Sequence, residues 1–257
     1  MLCGYYDDAG THTESDVVAV GGLIGNVEQW EKSNGPGPSN WLTRFLATPP
    51  LRAFHLSHCN AGMGEFAKYT IGERDAITHD FRRILDCRLV ATASMIDKKA
   101  YDELISDPLR AWLGEGVDPC VENCLAETIK VATARPDGDI IAIVLDRGMW
   151  TRRMKEITES YTLPLGSPRV ASVGFAAAAD VLPLQGADMV ATENYWHGVK
   201  ILQGGIGSEP RAHMRHYLRN MFAEGVMIDR ARIIAMLPEL ERVFRETHPD
   251  LAQKSDS

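Results

Sequence analysis

"DIIAIVLDR" (139–147) is the most apolar run of the chain, and it stops on an acid. Its length and β-branched content point to a strand rather than a helix. Unbroken apolarity is what a strand buried on both faces shows, so the spacing predicts an inner strand of a sheet covered by helices.

The neighbouring segments build the sheet outward. "LCGYYDDAG" (2–10) and "VVAVGGLIG" (17–25) read as two strands, joined by the polar "AGTHTES" in a hairpin with a loop longer than two residues. "RLVATASMID" (88–97) and "RVASVGFA" (169–176) are further strands, and "LRAFHLSH" (51–58) reads as a short one. Helices are expected over 27–32, 39–47, about 65–86, 118–134, 149–161, 183–203, 211–224 and 229–246. With 27–86 set aside, the order is strand, strand, strand, helix, strand, helix, strand, helix. That is the order of the ribonuclease H-like α/β fold, a mixed sheet of three antiparallel strands followed by parallel strands, flanked by helices. The expected organisation is a catalytic domain over 1–205 with a helical insertion at 27–86. A helical C-terminal extension, 206–257, packs on the same domain.

Bulk composition narrows the function. The chain has 257 residues, 45% of them hydrophobic and 24% charged, an ordinary globular mixture. No apolar stretch reaches the roughly 18 residues of a membrane span, and no basic segment followed by an apolar block opens the chain. Five cysteines, odd in number and irregularly spaced, fit a reduced cytoplasmic protein better than a disulfide framework. A net charge of −8 argues against broad neutralisation of a nucleic-acid backbone. It leaves room for a local groove, for which "RGMWTRRMK" (147–155) and "RAHMRHYLR" (211–219) are the candidates. Self-association is left open.

The acids carry the chemistry. In this fold the strands ending at Asp7 and Asp146 run side by side and parallel, so both acids reach the edge where open α/β sheets bind ligands. Asp188 lies in "PLQGADMVA", on a helix whose Ala187 and Ala191 permit close approach to the sheet, with Gln185 on the same face. Taken singly, each has a bland reading: a turn former at Asp7, a cap in "LDRG" at Asp146, a solvated acid at Asp188. Together they repel unless a cation neutralises them. Mg²⁺ or Mn²⁺ suits a site of few carboxylates completed by water and substrate phosphates. Two such ions about 3.5–4 Å apart activate a water and stabilise the leaving oxygen of a phosphodiester.

At these residues the chain resembles the bacterial and phage family called domain of unknown function 3800. "YYDDAG" is similar to that family's "YIDESG", "LPLQGADMVA" to its "LQLADLVA", and "IVLDRG" to its central strand ending in Asp. "FHLSHCNAGMGEF" (54–66) resembles its His-containing segment before a Gly-rich turn. The resemblance implies a ribonuclease H-like fold and a metal-dependent nuclease of a phage or mobile element, with Asp7, Asp146 and Asp188 as its acids and His55 as an accessory. Asp8 is the candidate further metal ligand, but Asp8 and Ala9 stand where the family has Glu and Ser, a departure that leaves a catalytically altered member open. Ribonuclease H-like sites often take a Glu from the helix before the fourth strand. Against an apolar stripe of Val121, Leu125, Ile129 and Ala132, Glu122 borders the sheet and Glu127 is solvated.

Other signals weigh less. His55, His58 and Cys59 lack a second half with zinc-like spacing, and a strand at 51–58 would point the two histidines apart. "GGLIGN" has no Lys-Ser/Thr to make a phosphate loop. Trp150, Tyr195 and Trp196 are able to stack on bases or to pack in the core. The sequence therefore predicts a metal-dependent nuclease acting on RNA, DNA or a hybrid. A non-catalytic interaction module on the same fold and a small-phosphoester hydrolase are the rivals.

Overall fold

Strands β1 (Leu2–Ala9) and β2 (Val17–Asn26) form the expected antiparallel hairpin, with Tyr6 opposite Gly22 and Asp7 opposite Gly21. The computed structural model describes residues 1–34, 51–85, 89–137, 140–149, 151–162, 169–204 and 223–252. β3 (Val90–Asp97) pairs antiparallel with β2, while β4 (Ile140–Asp146) pairs parallel with β1 and β5 (Arg169–Ala176) parallel with β4. The sheet order is β5-β4-β1-β2-β3-β6, in which only β2 runs against the rest. The run β5-β4-β1-β2-β3 reproduces the ribonuclease H-like arrangement expected from the strand order.

The sixth strand corrects the reading of 206–257 as wholly helical. β6 (Ala223–Ile228) pairs parallel with β3 and widens the sheet. A helix, α9 (Arg230–Thr247), follows it as expected. The helix expected at 39–47 and most of the one at 211–224 lie outside the described residues.

Ten α-helices and two short 3₁₀ helices, Gly64–Lys68 and Arg147–Met149, are described. The α-helices between β2 and β3 are α1 (Val27–Asn34), α2 (Leu56–Ala61) and α3 (Ile71–Leu85). Between β3 and β4 come α4 (Lys98–Leu104), α5 (Asp107–Leu113) and α6 (Val117–Thr133). α7 (Arg152–Thr162) and α8 (Leu182–Gly204) flank β5, and α10 (Pro249–Ala252) ends the described chain. Residues 51–55 are irregular and 56–61 helical, so the predicted strand at 51–58 is absent. Its alternation is the apolar side of a short helix: Leu56 and Cys59, three apart, are the buried pair.

The pleat of β1 divides the interior. Leu2 and Tyr6 join a core with Val121, Cys124 and Leu125 of α6, on the face shared with Ile141, Ile143 and Leu145 of β4. Cys3 and Tyr5 pack with Met189 and Val190 of α8 and with Phe54, Phe66 and Phe81 of the insertion. α6 and α8 thus cover opposite faces of the sheet. β4 is less covered than its composition predicts: Ile141, Ile143 and Leu145 are buried, but Ala142, Val144 and Asp146 are only partly so. α8 lies chiefly over β2 and β1, and its cover thins at β4.

The Gly21–Gly22 pair is explained by this sandwiching rather than by phosphate binding. A Cβ on Gly21 would fall 2.4 Å from the Ala191 backbone nitrogen of α8. On the opposite face, a Cβ on Gly22 would fall 2.1 Å from the Tyr6 ring. Strand glycines of this kind mark a close approach of backbone or ring. Gly21→Ala must push a helix backbone away from the sheet and is expected to lower unfolding free energy by about 1–3 kcal/mol. Gly174→Ala in β5, where an added Cβ meets nothing within 4 Å, is expected to be neutral or slightly stabilising. Urea unfolding of the two variants checks the contrast.

Candidate functional site

Register brings the first two acids together. The parallel β1–β4 ladder ends on the pair Tyr6 and Leu145, so Asp7 and Asp146 follow side by side at the strand ends. Both project on the face opposite Tyr6, toward α8. The contact of Ala191 with Gly21 then delivers Asp188, nearly one turn earlier on α8, to the same place, because Gly21 is the cross-strand partner of Asp7.

Each carboxylate also has a local hydrogen-bonding task. Asp7 Oδ1 accepts the Asp8 backbone N–H at 2.8 Å. Asp146 Oδ1 accepts from Gly148 N at 2.8 Å and its Oδ2 from Ala178 N at 3.2 Å. Asp188 Oδ2 accepts from Leu56 N at 2.7 Å, while Gln185, on the same helix face, accepts from Phe54 N and donates to the Ala178 carbonyl. Residues 54–56 are thereby tied to α8, and His55 is held with Nδ1 3.7 Å from Asp188 Oδ1, an ion-pair distance. The bland capping reading therefore holds for Asp146, whereas Asp7 lies inside β1 rather than in a turn and Asp188 is buried rather than solvated.

Asp7 and Asp188 keep only 8% and 7% of their exposure. Burial first, and then the charges of Asp188, Asp146 and Asp8, push the Asp7 carboxyl well above its ordinary range. Burial likewise raises Asp8, whose Oδ2 accepts from the Thr11 hydroxyl at 2.8 Å and whose repulsive neighbours are Asp146 and Asp188. The Asp188 carboxylate raises His55, with Asp146 adding to the effect. The electrostatic neighbourhood is thus four aspartates and one imidazole, with Glu65 also acting on His55. The aspartates do not form a closed cage: among the described residues no group of three His, Cys, Asp or Glu side chains is arranged as a complete metal site. The donor chemistry nonetheless fits a hard cation, since all the oxygens are carboxylate oxygens and a small divalent ion retains water in such surroundings.

Glu122 is not among the neighbours of these acids. It lies on α6, paired with Arg153 at 3.5 Å, and its other charged neighbour is Asp118. The helical-wheel expectation is also reversed, with Glu127 side chain 12% exposed against 38% for Glu122. The buried stripe of α6 runs through Val117, Asp118, Cys120, Val121, Cys124, Leu125, Thr128 and Ala132. Counting the cysteines, Asp118 and Thr128 turns its centre to about 110° from both Glu127 and Glu122, so Glu122 no longer borders it. Thr128 belongs there because its hydroxyl, with that of Thr92, meets the buried Tyr6 hydroxyl.

His55 and His58 lie closer than a strand would allow, with ring centroids 5.3 Å apart. Cys59 turns inward to Thr78 and the Arg74 carbonyl, which removes it from any ligand set with them. Two site features escaped sequence reasoning. One is the clamp of Gln185 and Asp188 on the 54–56 backbone. The other is the pair of backbone donors that fix Asp146.

The raised Asp7 means that the folded protein holds this proton more tightly than the unfolded chain. The stability it confers is complete below the ordinary carboxylate range and is lost as pH rises through the raised value. His55 acts in the same direction: its contribution is present below the ordinary imidazole value and disappears above the raised one. In chelator, the melting temperature is expected to fall as pH rises from about 5 to about 8. Asp7→Asn is expected to flatten that slope and to stabilise the metal-free protein near neutrality by about 0.5–2 kcal/mol. A destabilised Asp7→Asn protein would mark this acid as structural.

No family model and no curated protein matches the chain. Two ribonucleases are among the solved structures similar to it. Ribonuclease HII of Archaeoglobus fulgidus, solved in complex with PCNA, is 14% identical with a TM-score of 0.35, covering 85% of this chain and 87% of that one. Ribonuclease H2 of Pyrococcus horikoshii OT3 is 14% identical with a TM-score of 0.39, covering 85% of each chain. At that identity and those TM-scores no activity transfers to this chain from either. Among the described residues no helix is long and apolar enough to cross a membrane.

Proposed function

We propose that this chain is a divalent-metal-dependent nuclease that hydrolyses phosphodiester bonds, and a member of the domain of unknown function 3800 family. The observation that carries the reading is the convergence of Asp7, Asp146 and Asp188 at one sheet edge, set by the β1–β4 ladder and the Ala191–Gly21 contact, with the Asp7 carboxyl buried there and raised by its neighbours. A protein gains no stability from burying like charges beside one another, and perturbation of this kind gathers at functional sites. Asp7, Asp146 and Asp188 would hold the metal, with Asp8 beside them. Mg²⁺ or Mn²⁺, when bound, supplies neutralisation of the carboxylates and of the phosphodiester and lowers the pKa of water. His55, whose proton affinity the neighbouring Asp188 carboxylate raises, is positioned to donate a proton to the departing oxygen. The partly open Ala142–Val144–Asp146 face of β4 leaves a path for a polymer to reach the acids. Free thiols at Cys3, Cys59, Cys120 and Cys124 support a reducing, cytoplasmic setting.

The second reading, a non-catalytic module on the same fold, draws on the backbone bonds of Asp146 and Asp188, which give both acids a structural reason to exist. Cleavage of labelled RNA, DNA and hybrid strands in Mg²⁺ or Mn²⁺ separates the two. Asp146→Asn is expected to lower the cleavage rate at least about 100-fold with folding retained. Glu122→Gln is expected to stay within about twofold of the parent, as suits an exposed ion pair. Full activity of Asp146→Asn would remove the nuclease reading.

A further inference from the structure

Past the acids, α8 carries a second feature that hydrolysis at Asp188 does not use. Trp196 is 42% exposed, the most exposed of the Phe, Tyr and Trp rings among the described residues. An indole left in water forgoes the burial that drives folding, which makes its exposure informative. Its ring stands edge-on to Tyr195 at 5.1 Å, and Tyr195 is itself seated against Gly10 at the end of β1. Trp196 opens onto a cavity of about 460 Å³ whose other walls are Asn60, Val199, Lys200 and Gln203. The feature is thus an aromatic face, an ammonium one helical turn farther on, and two amides.

The cavity is linked to the acids by two elements. Trp196 lies eight positions after Asp188 on α8, about 12 Å along the axis. Asn60 belongs to α2, whose first residue donates its backbone N–H to Asp188. Twelve ångströms is about three to four nucleotides at a stacked spacing of about 3.4 Å.

We propose that this cavity is the binding track for single-stranded nucleic acid, with a base stacked on Trp196 and a phosphate against Lys200, three to four nucleotides from the aspartates. The direction of the track toward Asp188 rests on the nuclease reading. Bases of a duplex are stacked on one another and offer no free face to an indole, whereas those of a single strand do. One lysine beside a stacking surface also suits a protein of net charge −8, which holds a strand through few phosphates.

The test is fluorescence anisotropy in chelator at low salt, using a labelled strand of about 12 nucleotides, as DNA and as RNA. The same sequence as a duplex, and an abasic strand with equal phosphates, are the comparison ligands. The wild-type protein is expected to bind the single strand at least about 10-fold more tightly than either. Trp196→Ala is expected to weaken single-strand binding about 10-fold with an unchanged melting temperature, and Trp196→Phe to retain most of it. Lys200→Ala is expected to reduce the salt slope by about 0.7. Equal affinity for the abasic strand, preference for the duplex, no binding of any strand, or an unaffected Trp196→Ala protein would each overturn the proposal. If Trp196→Ala binds like the parent while Asp146→Asn still abolishes cleavage, the track fails and the nuclease stands. If binding falls as expected but the wild-type protein cleaves nothing in Mg²⁺ or Mn²⁺, the track stands and the nuclease fails.

Discussion

The candidate site depends on one close contact, the backbone of α8 at Ala191 lying against the bare Cα of Gly21. Helix and sheet ordinarily meet through side chains. Here an absent side chain on the sheet and a methyl on the helix let the backbones approach. Because Gly21 pairs with Asp7, and the β1–β4 ladder leads to Asp7 and Asp146 together, that contact fixes how far Asp188 stands from both. Displacing the helix would ease the repulsion among the acids, yet it would open the core formed by Met189 and Val190 with Leu23, Ala91 and Ala93. Packing therefore holds the carboxylates together against their electrostatics.

Opposition of this kind is common where a fold serves chemistry. Asp146 and Asp188 recover part of their cost by accepting backbone N–H groups, charge-assisted bonds of the stronger kind. Asp7 has only its neighbour's N–H and is the acid whose proton affinity rises most clearly. The backbone bonds fix where the carboxylates point and leave their mutual repulsion in place. A cation, or a proton, is the natural remedy.

Much of this was legible in the sequence because it rests on strand order and on residue spacing. Asp7 and Asp146 end parallel neighbours, and a register slip would have exposed the apolar faces of Leu2, Tyr6, Ile141 and Ile143. Asp188 was legible from the alanines on either side of it. Glu122 was misread because the wheel was drawn through aliphatic residues alone, whereas Cys120, Cys124 and Thr128 complete the buried stripe. The strand predicted at 51–58 failed for a different reason. Its fold is imposed from outside by Gln185 and Asp188, which bind the 54–56 backbone across a sequence separation of more than a hundred residues. No local pattern records such a partner. β6 was hidden likewise, since a short edge strand of Ala, Glu, Gly, Val, Met and Ile has little alternation to display.

The glycine-rich "GGLIG" illustrates how one signal separates two readings once both faces of a strand are seen. Glycines that cradle a phosphate leave open space in front of the backbone, whereas Gly21 and Gly22 are filled from opposite sides by a helix and by a tyrosine. Glycine economy at the centre of the sheet thus produces the site indirectly. It brings α8 down onto β1, and it seats Tyr6 so that its hydroxyl bonds Thr92 and Thr128 beneath α6. With both helices anchored to the same hairpin, the acids lie on the α8 face, and α6 contributes cover rather than a ligand. Glu122 stands outside the cluster for the same reason that Asp188 stands within it: the two helices occupy opposite sides of the strand that carries Asp7.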